Sequence, residues 1–177
     1  MINLSENVQL ETVTINSHLN LVELIHRIYP PAYKHLWQNE DCSFYVNTFY
    51  NIANLKLELS NKNAEYYFII YKNKPVGICR IQFNEPLNNF KNGTYIHRMY
   101  LGVEAQGKGV AKTIFNWIET RAKEKNNTFL WLKAMDTQEQ AIKFYTKKHF
   151  KITGKTSLDF DLLHKPLRGM LIMSKEI

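Results

Sequence analysis

The segment from Glu104 to Lys112, EAQGKGVAK, places a lysine between two glycines, after an apolar run and before a pattern typical of a helix. Glycine lets a backbone approach an anion closely, and the first turn of a helix offers free N–H groups and the positive end of a dipole. The segment is therefore a candidate phosphate site. Its ligand could be a nucleoside triphosphate, a dinucleotide or the pyrophosphate of coenzyme A. A tight strand-to-helix turn without a ligand is the alternative.

The spacing of the glycines argues against two of these ligands. A Walker-type phosphate loop needs Ser or Thr directly after its lysine, whereas Gly109 follows Lys108. A dinucleotide fingerprint needs a third glycine three residues after the second, near the start of a βαβ unit. Lys112 occupies that position here, and it lies late in the chain. The two remaining alternatives are the pyrophosphate of coenzyme A and a turn that binds no ligand.

Hydrophobic patterns predict the elements that position this turn. Alternating or apolar runs predict strands, and apolar residues at helical spacing predict helices. Strands are predicted over 8–15, 65–71, 76–83, 91–103, 127–135, 151–158 and 168–174, and helices over 17–29, 42–59, 110–125 and 137–149. This order combines an antiparallel meander with one strand–helix–strand crossover. We therefore expect an α/β fold with a mixed, mostly antiparallel central sheet of about seven strands flanked by helices.

Composition and charge exclude several classes of function. The chain has 177 residues, 45% hydrophobic and 22% charged, so we expect a single domain over residues 1–177. The net charge is +7, but Lys and Arg are scattered, with only a modest cluster over 143–151. No nucleic-acid partner is therefore expected, although a polyanionic small ligand would benefit from the positive field.

Other absences in the sequence bear on location and metal content. No apolar run approaches the ~20 residues of a membrane span, and the first residues carry acids where a signal peptide carries basic residues. We expect a cytoplasmic protein without a membrane partner. Cys42 and Cys79 stand apart from each other and from any cluster of histidines, so we expect buried thiols, no disulfide and no metal site. Monomer and homodimer both remain open.

Two segments carry a resemblance to a known family. The residues from Gln106 to Ala111, QGKGVA, match the Gln/Arg-x-x-Gly-x-Gly/Ala signature of the GCN5-related N-acetyltransferases (GNAT). They follow the fourth predicted strand and open the third predicted helix, as in that family. The segment AIKFYTKKHFKITG (141–154) resembles the family's AxxFYexxGFxxxG segment. The resemblance covers residues 65–175, and it implies a GNAT-like sheet whose fourth and fifth strands splay apart.

The resemblance implies acetyl transfer from acetyl-CoA to a primary amine of a small molecule, by direct attack in a ternary complex. Residues 65–177 would form the cofactor-binding core, and residues 1–64 would supply an N-terminal strand and acceptor-side helices. N–H groups of the glycine turn would bind the pyrophosphate, and the preceding strand would pair with the pantetheine arm and polarise the thioester carbonyl. The implied cofactor-binding residues are Met99, Tyr100, Leu101, Gln106, Gly107, Lys108, Gly109, Val110, Ala111, Gln138 and Tyr145.

Two side chains are the implied catalytic residues. Tyr145 would donate a proton to the departing CoA thiolate, although its helical spacing also fits a core aromatic. His97 is the first candidate for the base that accepts the amine proton, since imidazole titrates in the right range. It shares a strand face with Tyr95, Met99 and Leu101 if no bulge intervenes. The sequence departs from many relatives at Gln138, where they carry Asn, and at Lys133, where they carry an acid.

The segment 54–77 is similar to PaiA-like acetyltransferases, which implies a polyamine as one possible acceptor. Acids and aromatics should then line the acceptor channel. The available residues are Glu40, Asp41, Tyr45, Glu58 and Glu65, which could equally form a solvated face. Two other functions remain: an acetyltransferase of protein N-termini or lysines, and a non-catalytic acyl-CoA-binding sensor.

Overall fold

One sheet of eight strands runs through the molecule. The computed structural model describes all residues from 1 to 177. The strands are β1 (Ile2–Asn3), β2 (Val8–Thr12), β3 (Ala64–Tyr71), β4 (Lys74–Gln82), β5 (Gly93–Leu101), β6 (Phe129–Met135), β7 (Lys151–Ser157) and β8 (Gly169–Glu176). The helices are α1 (His18–Tyr33), α2 (Ser43–Phe49), α3 (Ile52–Ser60), α4 (Val110–Glu124) and α5 (Glu139–Lys147).

The sheet confirms the predicted class. In space its order is β1-β2-β3-β4-β5-β6-β8-β7, and every neighbouring pair is antiparallel except β5 and β6, which are parallel. The strand beyond the expected seven is the two-residue β1. Strands β5 and β6 pair only from Gly93–Phe129 to Ile96–Leu132. Their carboxyl halves are therefore apart, as the family resemblance implied, and the sheet is open there.

Two helix predictions needed correction. The first helix does not stop at Pro30 and Pro31 but continues to Tyr33, because the Lys34 N–H still bonds the Pro30 carbonyl and Tyr33 stacks on Tyr29 at 4.7 Å. The single helix expected over 42–59 is broken into α2 and α3. Asn51 caps α3 by accepting a hydrogen bond from the Asn54 N–H, and this local bond outweighs the apolar periodicity that runs across the break.

The two faces of the sheet pack against different helices. One core lies under α4, whose Val110, Ile114, Ile118 and Ala122 are buried against β3, β4 and β6. The other lies under α1, α2 and α3. Cys42 and Cys79 are buried free thiols, as expected. None of the helices combines the length and apolarity that crossing a bilayer demands. Because the cores lie on opposite faces, the opening between β5 and β6 connects the α4 side with the α1 side.

Candidate active site

The glycine turn sits between the end of β5 and the start of α4. Gly107 and Gly109 have φ of +69° and +75°, the left-handed region that favours glycine. A Cβ atom at either position would meet no atom within 4 Å, so the space above this backbone is open. The turn therefore has both the conformation and the access that an anion site requires.

The backbone N–H groups of this turn divide into free donors and donors that close the turn. The N–H groups of Gly107, Gly109, Val110 and Ala111 have no acceptor within the protein, and they lie at the N-terminus of the fifteen-residue α4. The N–H groups of Gln106 and Lys108, in contrast, donate to the carbonyls of Val103 and Ala105 and close the turn. Backbone donation to an anion is thus available from four of the six signature residues.

A cavity of about 280 Å³ occupies the opening between β5 and β6. Residues from both sides of the sheet line it. Met99, Leu132 and Ala134 belong to the α4 side, whereas aromatic side chains from α1 and α2 form the opposite wall. Of the implied cofactor-binding strand residues, Met99 and Tyr100 line the cavity, while Leu101 packs against the α4-side core beyond it. Side chains from both faces of the sheet therefore meet in this cavity.

Tyr145 and Gln138 reach the same cavity from α5 and its N-terminus. The Tyr145 ring contacts Phe115 and Phe144 at 5.7 Å, so it does pack as a core aromatic. Its hydroxyl nevertheless forms no hydrogen bond within the protein. Burial raises the pKa of Tyr145 to about 12, which keeps the phenol protonated at neutral pH. Gln138 donates to the Ala32 carbonyl at 3.4 Å and so ties α5 to α1.

A bulge in β5 removes the condition on which His97 was expected to share a strand face with Met99 and Leu101. Arg80 of β4 pairs with Arg98, but the next residue, Ile81, pairs with Ile96, so His97 is an extra residue in a β-bulge. The bulge shifts the alternation by one. Met99 and Leu101 consequently pack on the α4 side, together with Ile96, whereas His97 stays beside Tyr95 at 5.4 Å between ring centroids.

His97 lines the cavity, but its surroundings oppose the role of base. The Arg80 guanidinium donates to its Nδ1 at 2.7 Å, which leaves the proton of the neutral ring on Nε2. Burial, with the positive charges of Arg98, Arg80 and Lys133, lowers the pKa of His97 to about 2. An imidazole with so low a pKa binds a proton weakly. The assignment of His97 as base stays a prediction.

The neutral His97 should make stability depend on pH. Its pKa in the folded state lies below the ordinary value of about 6.5, so the unfolded chain takes up a proton that the folded chain does not. The free energy of unfolding is therefore unaffected by the protonation of His97 above about pH 6.5, and it decreases as the pH falls from there towards 2. Between pH 7 and pH 5, we expect the wild type to lose about 2 kcal/mol more unfolding free energy than His97→Gln. Urea titrations at several pH values measure the unfolding free energy. His35→Gln, at an exposed position, is the control. If the unfolding free energies of wild type and His97→Gln changed with pH in parallel, the prediction would be wrong.

The acids expected around the acceptor do not converge. Glu65 binds Arg121 at 2.6 Å on the α4 side, and the partly buried Glu58 forms an ion pair with Arg98 at 2.7 Å. Glu40 and Asp41 are exposed, where they bind Lys34 and the Ser43 N–H. Tyr45 alone of the five lines the cavity, and its hydroxyl forms a 2.8 Å hydrogen bond with that of Tyr100. No Asp or Glu side chain lines the cavity.

An aromatic wall was missed by the sequence analysis. Tyr29 stacks on Tyr45 at 4.5 Å with 12° between the planes, and on its helical neighbour Tyr33. Trp37 and Phe160 extend this wall. The spacing of Tyr29 and Tyr33, one helical turn apart, could have indicated it. Phe160 comes from the loop between β7 and β8, and its sequence carries no comparable signal.

A known protein family matches most of this chain. The model of the Acetyltransferase (GNAT) family matches residues 20–150. The chain belongs to this family. A curated relative described as "Uncharacterized N-acetyltransferase in pepI 3'region", from Lactobacillus delbrueckii subsp. lactis, is 25% identical over 111 residues. That match covers 62% of this chain and 64% of the relative, so it spans less than two thirds of the relative's length.

Solved GNAT structures share the whole fold. The PaiA N-acetyltransferase from Thermoplasma acidophilum, in complex with coenzyme A, aligns with a TM-score of 0.71 and 18% identity over 96% of this chain and 99% of its own. RimL, a ribosomal L7/L12 alpha-N-protein acetyltransferase in complex with coenzyme A, aligns with a TM-score of 0.74 and 18% identity over 99% and 97% of the two chains. At this identity the likeness establishes the fold, and acceptor specificity has to be argued from the cavity.

Proposed function

We propose that this GNAT protein transfers an acetyl group from acetyl-CoA to a primary amine of a small molecule in a ternary complex. The observation that carries the proposal is the cavity in the sheet opening. It meets α5 and the α4-side core at one side and the aromatic wall at the other. Two substrates that enter from opposite faces can meet in it, as direct transfer requires.

The residues of the α4 side fit coenzyme A. The four free N–H groups at the glycine turn would donate to the pyrophosphate, and Lys108 would add positive charge at its mouth. The main chain at Met99 and Tyr100 has no partner strand on the β6 side, so it can pair with the pantetheine arm as with an added strand. One of these N–H groups would stabilise the negative charge on the thioester oxygen during attack.

The reaction requires proton transfers at the attacking nitrogen and at the departing sulfur. The amine lone pair attacks the thioester carbonyl carbon, the C–N bond forms, and the C–S bond breaks as the intermediate collapses. Tyr145 gives its hydroxyl proton to the departing sulfur, and it is suited to this because its raised pKa keeps it protonated and no protein group binds its hydroxyl. The nitrogen, which is positively charged after the attack, loses a proton that water carries to the Tyr145 phenolate. The products are the N-acetyl amine and free coenzyme A, and the phenol is restored.

The amine must first become neutral, which costs an alkylammonium roughly 4 kcal/mol near pH 7.4. A strong base is not required if the site itself disfavours the ammonium. Burial and the positive charges of Arg98, Arg80 and Lys133, which together lower the pKa of His97, would lower the pKa of a bound ammonium in the same way. We assign deprotonation to this field, with water as the proton carrier.

Among the possible acceptors, a small molecule has the best support. The polyamine hypothesis gains nothing from the cavity, because its wall lacks carboxylates. RimL shares this fold and is named for a protein substrate, so acetylation of a protein N-terminus is the second candidate. A pure acyl-CoA sensor would not need a free phenol beside the cofactor channel.

The test measures the release of coenzyme A thiol from acetyl-CoA with polyamines, amino acids, aromatic amines and short peptides. We expect amine-dependent release and a higher Tm in the presence of acetyl-CoA. Gly109→Glu places a carboxylate at the pyrophosphate position and should weaken acetyl-CoA binding at least about tenfold. Asn126→Glu is the matched control, because Asn126 also has positive φ, at +58°, but lies at the opposite end of α4. If acetyl-CoA neither binds nor raises the Tm of the wild type, the proposal is wrong.

A further inference from the structure

The wall of the cavity on the α1 side is aromatic and positively charged. Its titratable residues other than tyrosine are His97, Arg98 and Lys133, and none is an acid. If the chain acetylates an amine, as proposed above, this wall contacts the acceptor. A polycation would meet like charge there, whereas an anionic group would be attracted.

Lys133 is the side chain that can reach an anion. On β6, Leu130, Leu132 and Ala134 pack into the α4-side core, so by strand alternation Lys133 lies on the acceptor face with Trp131 and Met135. Lys133 is exposed and lines the cavity. It forms no hydrogen bond or ion pair within the protein, unlike Lys175 on β8, which binds Glu119. Its charge is thus available to a ligand.

The buried groups behind this wall do not cancel that charge. Arg80 and Arg98, whose side chains are both 5% exposed, share one partly buried carboxylate, Glu58. Arg98 forms hydrogen bonds to both oxygens of Glu58, whereas Arg80 lies 3.9 Å from it. The Nε of Arg80 is buried without any hydrogen-bond partner. Glu58 is therefore the carboxylate within ion-pair distance of both buried cations, Glu85 acts on Arg80 as a weaker influence, and Lys133 adds a third positive charge at the cavity surface.

We propose that the acceptor is a small aromatic or apolar primary amine that also bears a carboxylate, and that Lys133 binds this carboxylate. The apolar body would pack on the wall formed by Tyr29, Tyr45 and Trp37. The cavity volume of about 280 Å³ suits one small molecule beside the end of the cofactor arm. The amine would point to the sheet opening, where Met99 and Tyr145 lie on the cofactor side.

Matched probes test the proposal by binding, independently of turnover. Calorimetry on the protein saturated with coenzyme A compares phenylalanine with phenethylamine, which lacks only the carboxylate, and with spermidine. We expect phenylalanine to bind about tenfold more tightly than phenethylamine, as a charge-assisted hydrogen bond provides. Lys133→Met should abolish this preference, and Lys133→Glu should reverse it. Lys143→Met, an exposed lysine paired with Glu139 on α5, is the control.

The outcomes separate this proposal from the proposed function. Tighter binding of phenethylamine or spermidine, binding of neither aromatic probe, or a carboxylate preference that survives in Lys133→Met would each overturn it. A carboxylate preference that depends on Lys133, without acetylation of any amine, would support the anion site and contradict the acetyltransferase function. Acetylation of phenylalanine with a raised KM for phenylalanine in Lys133→Met would support both.

Discussion

Tyr145→Phe is expected to lower kcat by about two to four orders of magnitude and to leave the Kd for acetyl-CoA unchanged, because it removes a proton donor and little else. The hydroxyl has no partner within the protein, so its loss leaves no buried group unpaired. The ring itself, which packs against Phe115, Phe144 and Phe150, is retained. Steady-state thiol release gives kcat, and calorimetry gives the Kd.

A second tyrosine controls for the loss of a hydroxyl as such. Tyr71 at the end of β3 packs against the α4-side core outside the cavity, so Tyr71→Phe should keep kcat within about twofold of the wild type. A full kcat in Tyr145→Phe would show that the thiolate leaves without this acid, and the assignment would fail. An equal fall of kcat and of acetyl-CoA affinity would instead indicate a packing role for the ring.

The glycine turn could be read from the sequence because its requirements are local. Positive φ at Gly107 and Gly109 depends on the absence of a side chain, and the helix that follows depends on the stripe of Val110, Ile114 and Ile118. Both signals lie within about ten residues. The open pair of strands was implied by the family resemblance, and the register of β5 with β6 confirms it.

The acceptor side could not be predicted in this way, because its arrangement depends on pairing between distant segments. The bulge at His97 arises from the register of β4 against β5 and has no mark in the sequence of either strand. Glu58 and Glu65 are seven residues apart, yet they bind arginines on opposite faces of the sheet. A list of acids in the first 65 residues therefore carried no information about which of them would meet at the cavity.

Glu58→Gln is expected to cost about 3–5 kcal/mol of unfolding free energy, the largest effect on stability among these variants. Glu58 is 11% exposed and is the only carboxylate bonded to the buried Arg98. The amide keeps the shape but not the charge, so two buried guanidinium groups lose their counter-ion. For a chain of this length, Tm should fall by something on the order of 10 °C. Urea unfolding and calorimetry measure both quantities.

The matched control is Glu139→Gln, which breaks the exposed pair with Lys143 and should change stability by less than about 0.5 kcal/mol. An equally small effect at Glu58 would mean that Arg80 and Arg98 are stabilised by water rather than by this carboxylate. The positive field assigned to the acceptor wall would then be screened. The low pKa of His97 and the preference for a carboxylate-bearing amine depend on the same unscreened charges, so both would weaken together.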